Sequence, residues 1–134
     1  MYKKIIVALA LDHGISETAL AKANLLLDPG GEIIALHIHE MPSGTASAFI
    51  ADSDVKRAQE TAQQQLNDRI RDVPNARAVL ANGHSGRDIA RYAKDMGADC
   101  IIMGSHKPGL TDYLLGSTAA RVVRHATCSV IVLR

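Results

Sequence analysis

The stretch KKIIVALA, residues 3–10, indicates the fold class of this chain, because its aliphatic residues continue without interruption from Ile5 to Ala10. A strand with one face in water alternates apolar and polar residues, whereas a strand in a parallel sheet is covered on both faces and is apolar throughout. The stretch is therefore predicted to be a central strand of a sheet that carries helices on both sides.

The remainder of the chain alternates between segments typical of strands and of helices. Further strands are predicted at residues 32–39, 76–83, 99–104 and 129–134, and helices at residues 16–27, 52–71, 85–96 and 117–126. The sequence DPGG is expected to end the first helix, Ser16 to cap it, and Ser85 with Asp88 to form a capping box for the third helix. This alternation predicts a single α/β domain, residues 1–134, with a parallel sheet between two layers of helices.

The composition excludes several classes of protein. Fifteen Lys and Arg against fourteen Asp and Glu give a formal net charge of +1, and without a basic run or stacking aromatic residues a nucleic-acid partner is not expected. Apolar runs stay below the roughly 18 residues of a membrane helix, and no signal peptide or membrane association is expected. Cys100 and Cys128 lack metal-ligand spacing, which favours a reduced, cytoplasmic setting.

The carboxyl edge of the predicted sheet is the expected ligand site, since ligands of open parallel sheets bind there, where the strand order reverses. Three segments leave strands at this edge, at residues 9–14, 36–41 and 103–118. The last of these, MGSHKPGLTDYLLGST, is rich in glycine. Gly104 and Gly109 are expected to let the backbone approach a ligand closely or to adopt a positive φ.

The start of the last predicted helix, near Ser117, is expected to bind an anion. Gly116 leads the chain into this helix, whose first N–H groups point at the crevice. An acid three residues after Ser117 would satisfy some of these groups, but Ala120 stands there. Lys107 adds positive charge, and the hydroxyls of Ser117 and Thr118 suit phosphate oxygens. The same residues also fit a purely structural loop in which Ser117 only caps its helix.

Several stretches of the chain resemble the universal stress protein family. They are YKKIIVA at the start, NGHSGRDIARYAKDMGADCIIMGSH in the middle, the glycine-rich loop, and RVVRHATCSVIVLR at the end. The resemblance covers the whole chain. It implies a five-stranded parallel sheet in the order 3-2-1-4-5, an adenine nucleotide alpha hydrolase-like fold, dimerisation and, in many members, ATP held by the loop after strand four.

The glycine-rich loop resembles the motif G-2x-G-9x-G-(S/T) of the nucleotide-binding members. Gly104 matches the first glycine, and Gly116 with Ser117 matches the final pair. Lys107 stands where the second glycine belongs, and eight residues instead of nine separate it from Gly116. This arrangement resembles the shorter-loop F and G subgroup of the family.

Strand one departs from the family at the position of an aspartate that contacts the nucleotide, because Ala10 stands there. Asp12, two residues later, either replaces that carboxylate or is an ordinary turn residue. The resemblance thus implies ATP, with or without Mg²⁺, as the cofactor. The residues expected around the nucleotide are Ala8, Leu9, Ala10, Asp12, Ile38, His39, Met103, Gly104, Ser105, His106, Lys107, Gly109, Gly116, Ser117 and Thr118.

The residues favour a binding protein over an enzyme. The sequence contains no G-x-S-x-G nucleophile elbow, no Walker loop and no evident carboxylate pair for metal-assisted phosphoryl transfer. Slow ATP hydrolysis or autophosphorylation stays open. The chain is thus interpreted as a nucleotide-responsive binding or signalling module, with a nucleotide-free dimeric scaffold as the alternative.

Three histidines form the candidate metal cluster. His37 and His39 share one face of strand two, and His106 could approach from the glycine-rich loop. No Cys or carboxylate stands at metal-site spacing, which favours local hydrogen bonds over a metal. No metal ion is therefore expected.

The last strand predicts a homodimer. Val130–Leu133 is a run of apolar residues, and in the order implied by the resemblance this strand lies at an edge of the sheet. An apolar edge with unpaired N–H and C=O groups favours pairing with another chain. We therefore expect two copies to meet through residues 129–133.

Overall fold

The computed structural model describes residues 1–11, 15–40, 48–105 and 115–134 of the chain. Within these ranges, five strands alternate with four α-helices, as the sequence predicts. The strands are β1 (Tyr2–Ala8), β2 (Leu27–His39), β3 (Ala76–Asn82), β4 (Cys100–Gly104) and β5 (Ser129–Leu133). The helices are α1 (Ser16–Leu26), α2 (Asp52–Ile70), α3 (Ser85–Met96) and α4 (Ser117–His125).

The five strands form one parallel sheet in the order β3-β2-β1-β4-β5. This order confirms the one that the family resemblance implies. β1 lies at the centre, between β2 and β4, and its residues Ile5, Ile6 and Val7 are fully buried. The prediction of a central strand covered on both faces is confirmed.

The sheet separates two apolar cores. On one face, Ile5 of β1 belongs to a cluster with Leu20 of α1 and Leu66 of α2. On the other face, Ile6 belongs to a cluster with Val122 of α4 and with residues of α3. Consecutive β1 residues thus enter opposite cores, as the two-residue period of a strand requires. No helix in the described ranges is both long and apolar enough to cross a membrane.

Strand β2 begins earlier than the sequence predicts, so that DPGG, residues 28–31, lies within the strand. Helix α1 does end just before Leu27, but Leu27 is already extended and pairs with Tyr2 of β1. The register then shifts, because Lys4 pairs with Glu32. The predicted start of this strand is therefore wrong: the turn residues are absorbed as an irregularity in the ladder, where proline is tolerated.

Strand β4 begins at Cys100, one residue after the predicted start, and the side chain of Asp99 binds the start of β1. Its carboxylate accepts the backbone N–H groups of Lys3 and Lys4 at 2.9 and 3.0 Å. Burial opposes ionisation of this carboxyl, but the hydrogen bonds outweigh burial and lower the pKa of Asp99. Asp99 thus joins the turn before β4 to the central strand.

The predicted helix caps at Ser16 and Ser85 are wrong. Both serines are the first helical residue instead of the cap. Ser16 is buried, and its hydroxyl accepts a hydrogen bond from Arg69 of α2. Asp88 does accept the backbone N–H of the residue before α3, at 2.8 Å, whereas the hydroxyl of Ser85 donates to Glu40. Partners from elsewhere in the fold therefore replace the expected local caps.

Candidate ligand site at the carboxyl edge of the sheet

The strands β1, β2 and β4 end at one edge of the sheet, and the strand order reverses there. The connection that follows β1 leads to β2 on one side, whereas β4 pairs with β1 on the other side. The segments that follow β1 and β4 therefore leave the sheet in different directions and leave a space between them. The start of α4 follows β4 at the same edge. We refer to the space bounded by the ends of β1, β2 and β4 and by the start of α4 as the crevice.

The chain leaving β1 is held against β2. The backbone N–H of Leu9 donates to the carbonyl oxygen of Leu36 at 2.8 Å. The ring Nδ1 of His37 lies 2.6 Å from the carbonyl oxygen of Leu9. Because a carbonyl oxygen only accepts, Nδ1 carries the proton in this contact. The local hydrogen bonding favoured for His37 is thus confirmed, and in the described ranges no three His, Cys, Asp or Glu residues come together as metal ligands.

The β1–α1 connection is tethered by Arg69, a residue that the sequence interpretation missed. From the last turn of α2, its guanidinium donates to the carbonyl oxygen of Leu11 at 2.5 Å and also to the hydroxyl of Ser16. The planar guanidinium therefore connects the two ends of the loop between β1 and α1. No local sequence signal identifies this role, because Arg69 lies 53 residues from Ser16 along the chain.

The glycine-rich loop is closed at its base by the backbone. Ser105, which is buried, donates its N–H to the carbonyl oxygen of Leu133 at 2.8 Å. The carbonyl oxygen of Ser105 accepts the N–H of Gly116 at 2.6 Å. The two ends of the loop therefore meet beside β4. The predicted site residues His106, Lys107 and Gly109 within this loop lie outside the described residues, as does Asp12.

The start of α4 presents backbone donors that have no acceptor within the described ranges. Gly116 is the N-cap residue, and its carbonyl oxygen accepts the N–H of Ala120 at 2.8 Å. No described residue accepts a hydrogen bond from the N–H groups of Ser117, Thr118 or Ala119. The first turn contains no acidic residue. With the helix dipole, these three donors form the geometry of an anion site. Ser117 is the first helical residue, so the interpretation of its side chain as a mere cap is wrong.

The start of α3 is occupied by carboxylates, in contrast to that of α4. Glu40, at the end of β2, accepts both the backbone N–H of Ser85 at 2.8 Å and its hydroxyl at 2.7 Å. Asp88 accepts the backbone N–H of His84. This hydrogen bond, aided by nearby arginines, lowers the pKa of Asp88. The role of Glu40 was not recognised in the sequence, since it depends on a partner 45 residues away.

Several of the predicted site residues within the described ranges stand at the strand ends beside the crevice, but their side chains are buried in the cores. The side chains of Leu9, Ile38 and Met103 belong to the buried cores. Ser117 is exposed, and Thr118 is half-buried. The other predicted residues at the strand ends and the helix start are Ala8, Ala10, His39, Gly104, Ser105 and Gly116.

Gly104 does not need the conformational freedom of glycine. Among the described glycines, a positive φ is found at positions 30, 83 and 97, and Gly104 is not one of them. A Cβ on Gly104 would lie 3.4 Å from Cγ2 of Ile15, at the start of the α1 segment. The positive φ predicted for Gly104 is therefore wrong. The other predicted role, close approach of its backbone to a ligand, stays a prediction.

Known proteins resemble the chain over its full length. The family model for the universal stress protein family matches residues 1–134. Universal stress protein G of Salmonella typhimurium is 32% identical over 144 residues, covering 100% of both chains. Hypothetical protein MJ0577 has a structure that is 28% identical with a TM-score of 0.77, covering 99% of this chain and 96% of its own. The universal stress protein of Archaeoglobus fulgidus, solved in complex with dAMP, is 22% identical with a TM-score of 0.65 and covers 99% of this chain and 98% of its own.

Proposed function

The chain belongs to the universal stress protein family, and we propose that it binds an adenine nucleotide in the crevice as a cytoplasmic binding or signalling protein. ATP, with or without Mg²⁺, is the proposed ligand. One observation carries the proposal: the N–H groups of Ser117, Thr118 and Ala119 have no acceptor in the described part of the chain. Such donors at a helix start bind phosphate oxygens.

The contrast between the two helices on this face supports a phosphate rather than a carboxylate of the chain itself. Two acidic side chains, Glu40 and Asp88, occupy the start of α3. The first turn of α4 contains none. An added anion is therefore expected at α4, where the hydroxyls of Ser117 and Thr118 supply further hydrogen bonds.

The family supports adenine as the base of the ligand. The Archaeoglobus fulgidus relative was solved in complex with dAMP, an adenine nucleotide. In our proposal, the phosphates lie at the start of α4, and the nucleoside lies towards the ends of β1 and β2. Ala10, at the end of the chain leaving β1, offers no carboxylate to the nucleoside.

The crevice favours binding without rapid turnover. The described residues at the ends of β1 and β4 and at the start of α4 include no Asp or Glu. Glu40, at the end of β2, is engaged by Ser85. Rapid phosphoryl transfer requires groups that orient a nucleophile and hold metal ions. We therefore expect phosphate release far below the roughly 1 to 1000 per second typical of enzymes.

The edge strand β5 supports a homodimer as the assembly. β5 pairs with β4 and ends the strand order, so its other side has no strand partner in the described part of the chain. Val130 and Val132 are half-buried, and Val123 of the adjacent helix α4 is 49% exposed. Pairing of two β5 strands would satisfy the edge and cover these apolar side chains.

The proposed phosphate site is tested by Ser117→Glu, because a carboxylate placed there competes with the phosphates and repels them. Isothermal titration calorimetry with ATP and Mg²⁺ is expected to show a loss of about tenfold or more in affinity. Ser53→Glu, an exposed position in the first turn of α2, is the matched control and is expected to change affinity by less than about twofold. Unchanged binding by the Ser117 variant would remove the site, and no binding of ATP, ADP or AMP to the parent protein would favour the nucleotide-free scaffold.

A further inference from the structure

The outer surface between α3 and α4 carries a concentration of positive charge. A groove of about 460 Å³ lies there, and we call it the basic groove. Arg87, Arg91 and Lys94 of α3 line it on one side, and Arg121 and His125 of α4 on the other. The whole chain has a formal net charge of only +1, so this surface differs from the rest.

Most of these cations have no carboxylate partner. In the part of the chain that the structure describes, Arg91 forms ion pairs with Asp88 and Asp95, at 3.4 and 3.8 Å. The charged groups of Arg87, Lys94 and Arg121 have no carboxylate oxygen within 4.0 Å in that same part. Three exposed positive charges without a carboxylate in contact therefore line one groove, and an anion that enters the groove is attracted by all three.

A glycine lets the two helices hold these charges close together. A Cβ on Gly86 would lie 3.0 Å from Cδ of Arg121 and 3.1 Å from Cε1 of His84. Both distances are tighter than ordinary contacts between side chains. The aliphatic stem of Arg121 therefore packs directly on the first turn of α3, and this packing directs the guanidinium into the basic groove.

The dimensions and lining of the basic groove indicate its ligand. Arg87 and Lys94 are seven residues apart on one helix, which corresponds to about 10.5 Å along its axis. This span exceeds one phosphate group, so separate side chains can bind separate phosphates. Guanidinium groups bind phosphate with two parallel hydrogen bonds.

The floor of the basic groove disfavours a peptide. Gly86, Ala90 and Thr127 are the uncharged residues that line it, and none has a large apolar side chain. Interfaces with proteins are dominated by buried aromatic or other large anchors that pair with similar residues of the partner, and the lining of this groove supplies no aromatic or large apolar side chain. We propose that the basic groove binds a linear oligophosphate of three or more phosphates. This site is independent of the nucleotide proposal, because none of the crevice residues lines the groove.

The test uses sodium tripolyphosphate and inorganic monophosphate as probes in titration calorimetry. The variant Arg87→Gln/Lys94→Gln removes two charges of the basic groove with little change in helix propensity. The matched control Lys22→Gln/Arg57→Gln removes two exposed charges from α1 and α2, on the opposite face of the sheet. Circular dichroism verifies that both double variants are folded.

We expect the groove variant to lose about tenfold or more in tripolyphosphate affinity, and the control less than about twofold. Monophosphate is expected to bind the parent protein at least about tenfold more weakly than tripolyphosphate. Because tripolyphosphate also fits the phosphate site proposed at α4, the groove substitutions are compared in the Ser117→Glu background, where they should still lower tripolyphosphate affinity by about tenfold. In the background without Ser117→Glu, the groove variant should keep ATP binding at the crevice, so the two sites can be tested separately.

Three results would overturn the proposal. The first is an equal loss of tripolyphosphate affinity in the groove variant and in the control. The second is a loss confined to Ser117→Glu, which would place the oligophosphate at the start of α4. The third is tighter binding of a peptide rich in Asp and Glu than of tripolyphosphate.

Discussion

Arg69→Met tests whether the tether of the β1–α1 loop stabilises the fold and the crevice. Methionine resembles the aliphatic stem of arginine and has a similar helix propensity, but it lacks the donors to Leu11 and Ser16. Hydrogen bonds from charged donors contribute about 1.5–3 kcal/mol each, and we take the lower value because the contacts are only part-buried. Two such bonds predict a loss of about 3 kcal/mol in the free energy of unfolding.

The matched control is Arg71→Met, two residues further along the chain. Arg71 is exposed and pairs with Asp68 at 2.5 Å across one helical turn. An exposed pair of this kind contributes about 0–1 kcal/mol. Urea denaturation followed by circular dichroism therefore should show a midpoint about 1.5 M lower for the Arg69 variant than for the parent, with an m-value of about 2 kcal/mol/M. Midpoints of the two variants within about 0.3 M of each other would refute the reasoning.

A double-mutant cycle separates the tether from other effects of Arg69. Ser16→Ala removes the buried hydroxyl that the guanidinium contacts. If the contact is direct, the double variant Arg69→Met/Ser16→Ala should lose less stability than the sum of the single losses. Calorimetry on the Arg69 variant should also show weaker ATP binding, because the carbonyl group of Leu11, in the segment that leaves β1, is no longer held.

Three further changes test the assembly, the pH dependence and the crevice. Val130→Lys/Val132→Lys should convert a dimer into a monomer at tens of micromolar in light scattering, and a parent monomer would contradict the proposed interface. Because both valines also pack on the core with α3 and α4, circular dichroism must show that the variant is folded. Because the pKa of Asp99 is lowered on folding, its contribution is present above the pKa of the unfolded chain and is lost as pH falls through the folded value. Asp99→Asn should therefore flatten the loss of stability as pH falls below the ordinary pKa of an aspartate, and an unchanged urea profile would contradict this. Ala10→Asp should tighten ATP binding by about 1 kcal/mol if it gains one hydrogen bond, and equal or weaker binding in calorimetry would show that this carboxylate is not needed.

The periodicity of the sequence predicted each strand and helix of the fold, but it predicted the residues at which they begin less accurately. KKIIVALA became the buried central strand, because a run without polar residues is stable only where both faces are covered. Every predicted strand and helix is present. The start of β2 was misplaced, since it depends on pairing of Leu27 with Tyr2 in another strand. The strand order came from the family resemblance and not from periodicity.

The position of the candidate site was predicted from the sequence, whereas the hydrogen-bond partners of the serines at the helix starts were not. The glycine at position 116 and the alanine at position 120 predicted a helix start without an internal acid, which the structure confirms for α4. The expected caps at Ser16 and Ser85 were wrong because both hydroxyls found distant partners. The capping rules describe neighbours along the chain, so they do not include a side chain from another element.

The amino-acid pattern was sufficient to predict which segments are strands and helices, that the first strand is covered on both faces, and which helix start lacks an acid. Side chains repeat every two residues in a strand and every 3.6 residues in a helix. The face that is buried can therefore be predicted from residues close together along the chain. The three-dimensional packing was needed to show that Glu40 binds the start of α3, that Arg69 contacts both ends of the β1–α1 loop, and that cations of α3 and α4 line one groove. The residues of these contacts are tens of positions apart along the chain, and only the packing of the helices on the sheet brings them within hydrogen-bonding or Coulombic range.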